Sequence, residues 1–471
     1  MSRLQQYRLF RSFNLMQLTR FPVTRPLRFL VAQAVSLFTW TPWRGSPTHE
    51  LVAQKIARVC LFGFFGGGNF GNDGSLEAML LILRHAWPLA EFACVCPHPQ
   101  KIARDHQVAT IGISWERLSN PVIRTCNKLA LRGPGMLANW VRTIQYVRKF
   151  DMLVVTGTST LCDYRATSFD TPYALFRWAI AARLCGTKLF FVRTGAGPIQ
   201  RPFARWMLKR VAALADYRSF RDEVSRKFCA SIGIDTSSDP VYPDLVFELP
   251  TSPSKAPAGS PDRPITIGVG VMDYCGWQHV TAEQKYNSPS YRAYLTIMST
   301  FILSLLERGF IVRLLIGEVA DQRAVSDLER SMEKKGYRLT TSSPSRAEPG
   351  QLIAEPIRSL RDVMHQIAQT DIVVASRYHN VVCALKFARP TVSIGYEKKN
   401  AAVMATMGLA GFCQDIDELD LTRLNLQFDK LLNNKSFYEQ QTRRRLDEIQ
   451  RSMGVEEELL NLGLVAGVRR G

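Results

Sequence analysis

Four side chains suited to gripping an anion, Arg221, Arg377, His379 and Lys399, stand directly after short apolar runs of this chain. In a parallel α/β sheet that is where ligand-contacting residues gather, outside the carboxyl ends of the strands. Arg221 follows a short strand in Ser219-Phe220-Arg221-Asp222, and Asp222 is placed to cap the helix that runs through Phe228. Its guanidinium suits bidentate capture of a carboxylate or phosphate, or else pairs with an internal acid. Arg377 and His379 sit in Ser376-Arg377-Tyr378-His379-Asn380, between the apolar run 372–375 and a helix starting near Val381. At such a helix start an imidazole holds a proton less readily, yet still offers a donor to an anion. The run 395–399 adds Lys398 and Lys399, either of which suits a phosphate.

Three further loops have the composition of ligand contacts. Residues 66–74 read Gly-Gly-Gly-Asn-Phe-Gly-Asn-Asp-Gly, with Asn69 and Asp73 as polar members and a helix expected from about Ser75. The loop lacks the GxGxxG spacing and the P-loop lysine, so it is either a tight structural turn or an anion-binding loop of another kind. Thr158 and Ser159 lie in a small hydroxylated loop after the run 152–156, and Arg193 and Thr194 end the run 189–193 before Gly195 to Pro198. Asp415 and Asp417 spell DxD, but no hydrophobic strand leads into them, so they read as helix-start caps and no metal is assigned.

The elements that must position these residues alternate apolar strand-like runs (59–65, 92–96, 152–156, 189–193) with helical patterns (76–85, 172–185, 203–214). That is the order of a parallel sheet covered by helices. Residues 248–264 carry five prolines and no apolar period, after which the same grammar restarts with 265–271, 311–316, 372–375 and 391–394. The reading is therefore α/β: two Rossmann-like doubly wound domains with an interdomain cleft. They are an N-terminal domain over 51–247, a linker over 248–264, and a C-terminal domain over 265–423 carrying the candidate anion-binding residues Arg377, His379 and Lys399. A helical segment over 424–471 follows, positioned to brace the first domain. At 471 residues the chain is long enough for two cores.

A net charge of +19 calls for anionic partners. No nucleic-acid module with aromatic platforms or a recognition helix is found, so nucleic acid is not expected. Seven arginines against one acid in residues 1–50, with Phe29, Leu30, Leu37, Phe38, Trp40 and Trp43, read as a basic amphipathic extension lying on an anionic membrane surface, or else packed on the protein or unstructured. Ten cysteines without a CxxC pair point to reduced thiols and a cytoplasmic protein, peripheral at the inner face of the membrane if the extension binds there.

Taken in order, residues 63–77 (GFFGGGNFGNDGSLE), 155–163 (VTGTSTLCD), 193–199 (RTGAGPI), 219–225 (SFRDEVS), 243–247 (PDLVF), 376–390 (SRYHNVVCALKFARP) and 394–399 (IGYEKK) resemble the polysaccharide pyruvyl transferase family. The resemblance implies a glycosyltransferase-B-like fold and phosphoenolpyruvate as donor substrate, with no cofactor or metal. It also implies a glycan acceptor, lipid-linked in an exopolysaccharide pathway, on which two hydroxyls of one sugar receive the pyruvyl group as a cyclic ketal. The family's RD arginine falls on Arg221, its RxH histidine on His379, and its lysine after the tyrosine on Lys399. The chain departs from the usual pattern at Gly157-Thr158-Ser159, where a GGG or GGS-like loop is common, and at Asn380, where glycine follows the histidine. His379 is the expected proton donor, and Asp73, Asp163 and Glu318 are candidate bases for the sugar hydroxyls. The alternatives are a nucleotide-sugar glycosyltransferase of the same architecture and an inert glycan-binding relative.

Overall fold

A computed structural model describes residues 58–114, 133–163, 166–251, 264–274, 288–341, 348–452 and 454. The basic extension and most of the proline-rich linker lie outside these described residues. The first half runs β1 (Arg58–Phe62), α1 (Phe70–Ala86), β2 (Glu91–Cys96), α2 (Pro99–His106), β3 (Ala109–Gly112), α3 (Gly133–Val147), β4 (Met152–Thr156), α4 (Thr171–Cys185), β5 (Lys188–Thr194), α5 (Pro202–Leu214), β6 (Tyr217–Phe220) and α6 (Glu223–Ser231). A 3-10 turn, Leu245–Glu248, precedes the second half. That half runs β7 (Thr266–Gly270), α7 (Pro289–Glu307), β8 (Ile311–Leu315), α8 (Gln322–Glu333), β9 (Leu339–Thr340), β10 (Leu352–Ile353), α9 (Leu360–Ala368), β11 (Ile372–Ala375), α10 (Tyr378–Lys386), β12 (Thr391–Gly395), α11 (Lys398–Thr406), β13 (Cys413–Asp415), α12 (Leu421–Asn433) and α13 (Lys435–Ser452).

The long apolar runs become strands because both faces of a parallel sheet are covered, so residues of either parity are buried. β4, β7 and β8 are buried at every position. The first sheet has the order β3-β2-β1-β4-β5-β6 and the second β13-β12-β11-β7-β8-β10-β9, all pairs parallel. The order reverses beside β1 and β4 in one sheet and beside β7 and β11 in the other, and a crevice opens at such switch points. The loops after β1, β4 and β11 carry the glycine run, Thr158 and Ser159, and Arg377 to His379.

The two sheets share one continuous hydrophobic cluster, which includes Val59 and Val154 of the first and Ile267 and Val374 of the second. α1, the 3-10 turn, α9 and α10 form the seam between them. Polar bonds reinforce it: Phe70 N–H donates to Gly317 O at 3.0 Å, Val319 N–H to Gly68 O at 2.9 Å, and Lys386 Nζ to Phe247 O at 2.5 Å.

α1 starts at Phe70, five residues before the expected start, so the second part of the glycine run is helix. Asn69 caps it by accepting from Asn72 N–H at 3.1 Å. Glycine inside a helix costs about 1 kcal/mol against alanine, and close approach explains its presence here. A Cβ on Gly74 would stand 2.1 Å from Leu360 Cδ2, and one on Gly71 would fall 1.8 Å from His379 Nδ1. The closing helices lie against the second sheet's layer, not across the first: Arg308 pairs with Asp429, Lys435 with Asp371, and Gln441 donates to Gly408 O. Asp415 does cap, accepting from Asp417 N–H at 3.0 Å, although the short strand β13 leads into it.

The seam predicts the response to Leu360→Ala, which removes a buried side chain from the contact with α1. Stability should fall by about 2–5 kcal/mol, measured by urea denaturation, and both halves should still unfold in one transition.

Candidate active site

Asp244 is buried where the two halves meet, just before the 3-10 turn, and accepts from Val246 N–H at 3.0 Å. Its Oδ2 faces Arg221 Nη1 of the first half at 3.4 Å and His379 Nε2 of the second at 3.7 Å. The histidine distance exceeds a hydrogen bond, so that contact is electrostatic. Burial alone would raise the Asp244 carboxyl, but the facing imidazole and guanidinium, with the Val246 amide, hold it down at about 2.

Arg221 is positioned by β6 and by its neighbours on three sides. Nη2 donates to Ser159 Oγ at 2.6 Å and Nη1 to Gly157 O at 3.3 Å, Nε lies 3.5 Å from Asp222 Oδ2, and the guanidinium carbon stands 4.8 Å from the Tyr378 ring centre. Its other face lies on Gly195, where a Cβ would come within 2.7 to 2.8 Å of the guanidinium. Asp222 also caps α6 by accepting from Ser225 N–H at 2.6 Å.

His379 lies in the first turn of α10, against Gly71 of α1. Burial, opposed by Asp244 and aided by Arg221 and Lys399, lowers its proton affinity, so the imidazole is neutral near neutral pH. Arg377, the residue before α10, is committed to a fork on the fully buried Asp321, with Nε–Oδ2 2.9 Å and Nη2–Oδ1 2.6 Å, and its Nη1 pairs with Glu318 at 2.9 Å. Lys399 Nζ pairs with Glu397 at 2.8 Å and stands 5.4 Å from the Tyr378 and Tyr396 ring centres. Burial opposes its charge, but Glu397 outweighs that and raises its proton affinity.

Arg221, Arg377, His379, Lys399, Asn69, Thr158, Ser159 and Glu318 line one cavity of about 360 Å³ between the sheets. Beside Gly197, Pro198, Tyr396, Glu397 and Lys399 it adjoins a wider one of about 750 Å³, whose lining adds Lys227, Lys398, Asp415 and Arg423. Buried Thr158 Oγ1, Arg221 Nε and His379 Nε2 have no hydrogen-bond partner among the described residues. Such orphaned atoms are costly unless a ligand or water meets them.

Other expected contacts are turned to structural use. Arg193 is fully buried, paired with Glu248 at 2.9 Å and donating to Pro243 O, and does not line the cavity. Thr194 donates to Val155 O at 3.3 Å inside the sheet edge. Asp73 accepts from Gly66 N–H at 2.7 Å and pairs with Lys101 at 2.9 Å, and Asp163 accepts from the amides of Gln200 and Arg201 ahead of α5. Asp244, Gly71 and Gly195 carry no assigned role in the sequence reading. The signal for all three is that they fall inside the motifs at 243–247, 63–77 and 193–199.

Two Rossmann-like sheets presenting their C-terminal edges to a shared cleft define a glycosyltransferase-B-like α/β protein. Solved structures of similar fold include HepE of Anabaena in complex with UDP-glucose, at 12% identity and TM-score 0.51 over 86% of this chain and 98% of that one. UDP-GlcNAc 2-epimerase of Neisseria meningitidis bound to UDP-GlcNAc is similar too, at 12% identity and TM-score 0.51 over 82% and 94%. Within that architecture this chain belongs to the polysaccharide pyruvyl transferase family, whose model matches residues 69–398, from the cap of α1 to the residue before Lys399. The amylovoran biosynthesis protein AmsJ of Erwinia amylovora is 22% identical over 345 residues, 68% of this chain and 75% of that protein. Membership makes pyruvyl transfer in polysaccharide biosynthesis the general chemistry of this chain.

The packing predicts that Gly71→Ala and Gly195→Ala, each lacking room for one methyl group, displace His379 and Arg221 respectively. Transferase activity should fall by at least tenfold in both, about 1.4 kcal/mol in the barrier, with far-ultraviolet circular dichroism unchanged. Asp244→Asn keeps the cap on the 3-10 turn but removes the anion. The Asp244 carboxylate is held below its ordinary value of 3.8, so its stabilisation is complete above that pH and lost as pH falls through about 2. Near pH 7 the variant should be less stable by on the order of 3 kcal/mol, and the gap should close in acid-unfolding curves as pH falls through about 2.

Proposed function

We propose that this protein transfers the pyruvyl group of phosphoenolpyruvate onto two hydroxyls of one sugar in a lipid-linked exopolysaccharide unit, forming a cyclic ketal and releasing phosphate. The observation that carries this reading is the convergence of Arg221, Arg377, His379 and Lys399 on one cavity, with the guanidinium and ammonium groups already fixed in place by their counter-ions. Phosphoenolpyruvate bears a carboxylate and a phosphate, so it satisfies donors of this kind at two ends. The wider adjoining cavity has the room for a glycan.

In this mechanism the bound donor's negative charge opposes the burial and the cations that together depress His379, and the imidazole takes up a proton. His379 delivers that proton to the methylene carbon, making C2 electrophilic. One sugar hydroxyl adds to C2 and gives its proton to Glu318, the candidate base that lines the cavity. The C2–O bond to phosphate then breaks, the second hydroxyl closes the ketal, and its proton leaves with phosphate. Arg221 holds an anionic end of the donor throughout.

Phosphoenolpyruvate should raise the thermal midpoint, as a ligand of the native state does, while UDP-glucose should not. A shift with UDP-glucose alone would replace this reading with nucleotide-sugar transfer. Donor binding should be accompanied by net proton uptake near neutral pH, seen by calorimetry in buffers of different ionisation enthalpy, and His379→Gln should abolish it. His379→Gln should also lower kcat by about 10²–10⁴. Arg221→Lys should chiefly raise KM for the donor, because a point charge does not replace the fork.

A further inference from the structure

Helices α3, α4 and α5 pack side by side over the first sheet, and not one aspartate or glutamate occurs in the three. Their outer face and the turn before α4 carry large apolar groups in water: Leu137 is 67% exposed, Phe169 65%, Phe203 47% and Trp206 39%. The rings form an unbroken chain, Phe169 to Phe203 at 5.7 Å, Phe203 stacked on Trp206 at 5.8 Å, and Trp206 to Phe176 at 5.6 Å. Contiguous exposed apolar surface of this kind marks a contact site. Phe203, Trp206 and Arg210 share one face of α5, as Phe176 and Arg183 share one face of α4. Arg183 and Arg210 are exposed and have no ion pair among the described residues.

We propose that this face docks the protein onto a bilayer containing anionic phospholipid. Phe169, Phe203 and Trp206 enter the boundary between headgroups and acyl chains, and Arg183 and Arg210 lie against lipid phosphates. Aromatic rings that are apolar in body and placed beside cations suit that boundary. The charged side chains of α3, α4 and α5 are all basic and favour an anionic surface, with exposed Asp170, next to Phe169, an acid at the edge of the face. Among the described residues no helix is long and apolar enough to cross a membrane. The face also adjoins the reaction cavity: Thr171, the first residue of α4, and Pro198, shortly before α5, both line it. Resting on the proposed function, this sets the cavity mouth near the membrane, where a lipid-linked sugar enters.

The test is cosedimentation of the full chain with vesicles of phosphatidylcholine alone and of phosphatidylcholine mixed with phosphatidylglycerol. Binding is expected on the mixed vesicles only, weakened by salt. Two variants of the full chain, F169S/F203S/W206S and the milder R183E/R210E, should each lower partition by about tenfold or more. Their thermal midpoints and their stabilisation by phosphoenolpyruvate should match the parent. A folded variant that partitions like the parent overturns the proposal. So does self-association that both variants abolish while vesicle binding persists, which would assign the face to a second copy. Patch-dependent vesicle binding without any donor effect supports docking and sinks the donor reading instead.

Discussion

The site is organised around a buried carboxylate that has to stay charged. Removing Asp244 from water is expensive, and the expense is offset by His379 and Arg221, which face it from opposite halves of the molecule, and by the Val246 amide. The same residue therefore links Arg221 of one half to His379 of the other and contributes to the electrostatics of the imidazole. It partly counters the burial that, with Arg221 and Lys399, lowers the proton affinity of His379.

Around that carboxylate the cations come already partnered. Arg377 is held by Asp321 and Glu318, Lys399 by Glu397, and Arg221 by Asp244 and Ser159. This pairing removes rotamer freedom before a ligand arrives, which is how a site gains geometric selectivity without collecting every counter-ion. Where side chains must come closer than a methyl group allows, glycine stands opposite: Gly71 under His379 and Gly195 under Arg221. These glycines are needed for their missing Cβ, whereas Gly66 and Gly68 are also needed for positive φ in the preceding turn.

The continuous core gives these contacts a firm base. Main-chain pairing of residues 68–70 with 317–319 joins loops from both sheets at the cavity edge, and Leu360 seated against Gly74 continues the join below it. An arrangement of this kind keeps the two halves of the site in register. The same architecture in HepE and the 2-epimerase shows how far the scaffold is shared, and why chemistry has to be argued from the side chains.

The sequence by itself determined the α/β class, the buried strands such as β4, β8 and β11, the two doubly wound halves, and the placement of Arg221, His379 and Lys399 shortly after strands. Long apolar runs bounded by turns carry that information locally. It did not disclose β9, β10 and β13, which are two or three residues long and exist only because a neighbouring strand supplies their partners. Nor did it separate the cations that line the cavity from those that do not: Arg193 is buried against Glu248, 55 residues away, whereas Arg377, held by Asp321 56 residues away, still lines the cavity. Asp244 and the two close-approach glycines were visible only as letters in motifs, since their roles arise from groups that meet in space. Periodicity records which face of an element is buried. What is packed against that face, and so which charges face each other, was decided by tertiary structure alone.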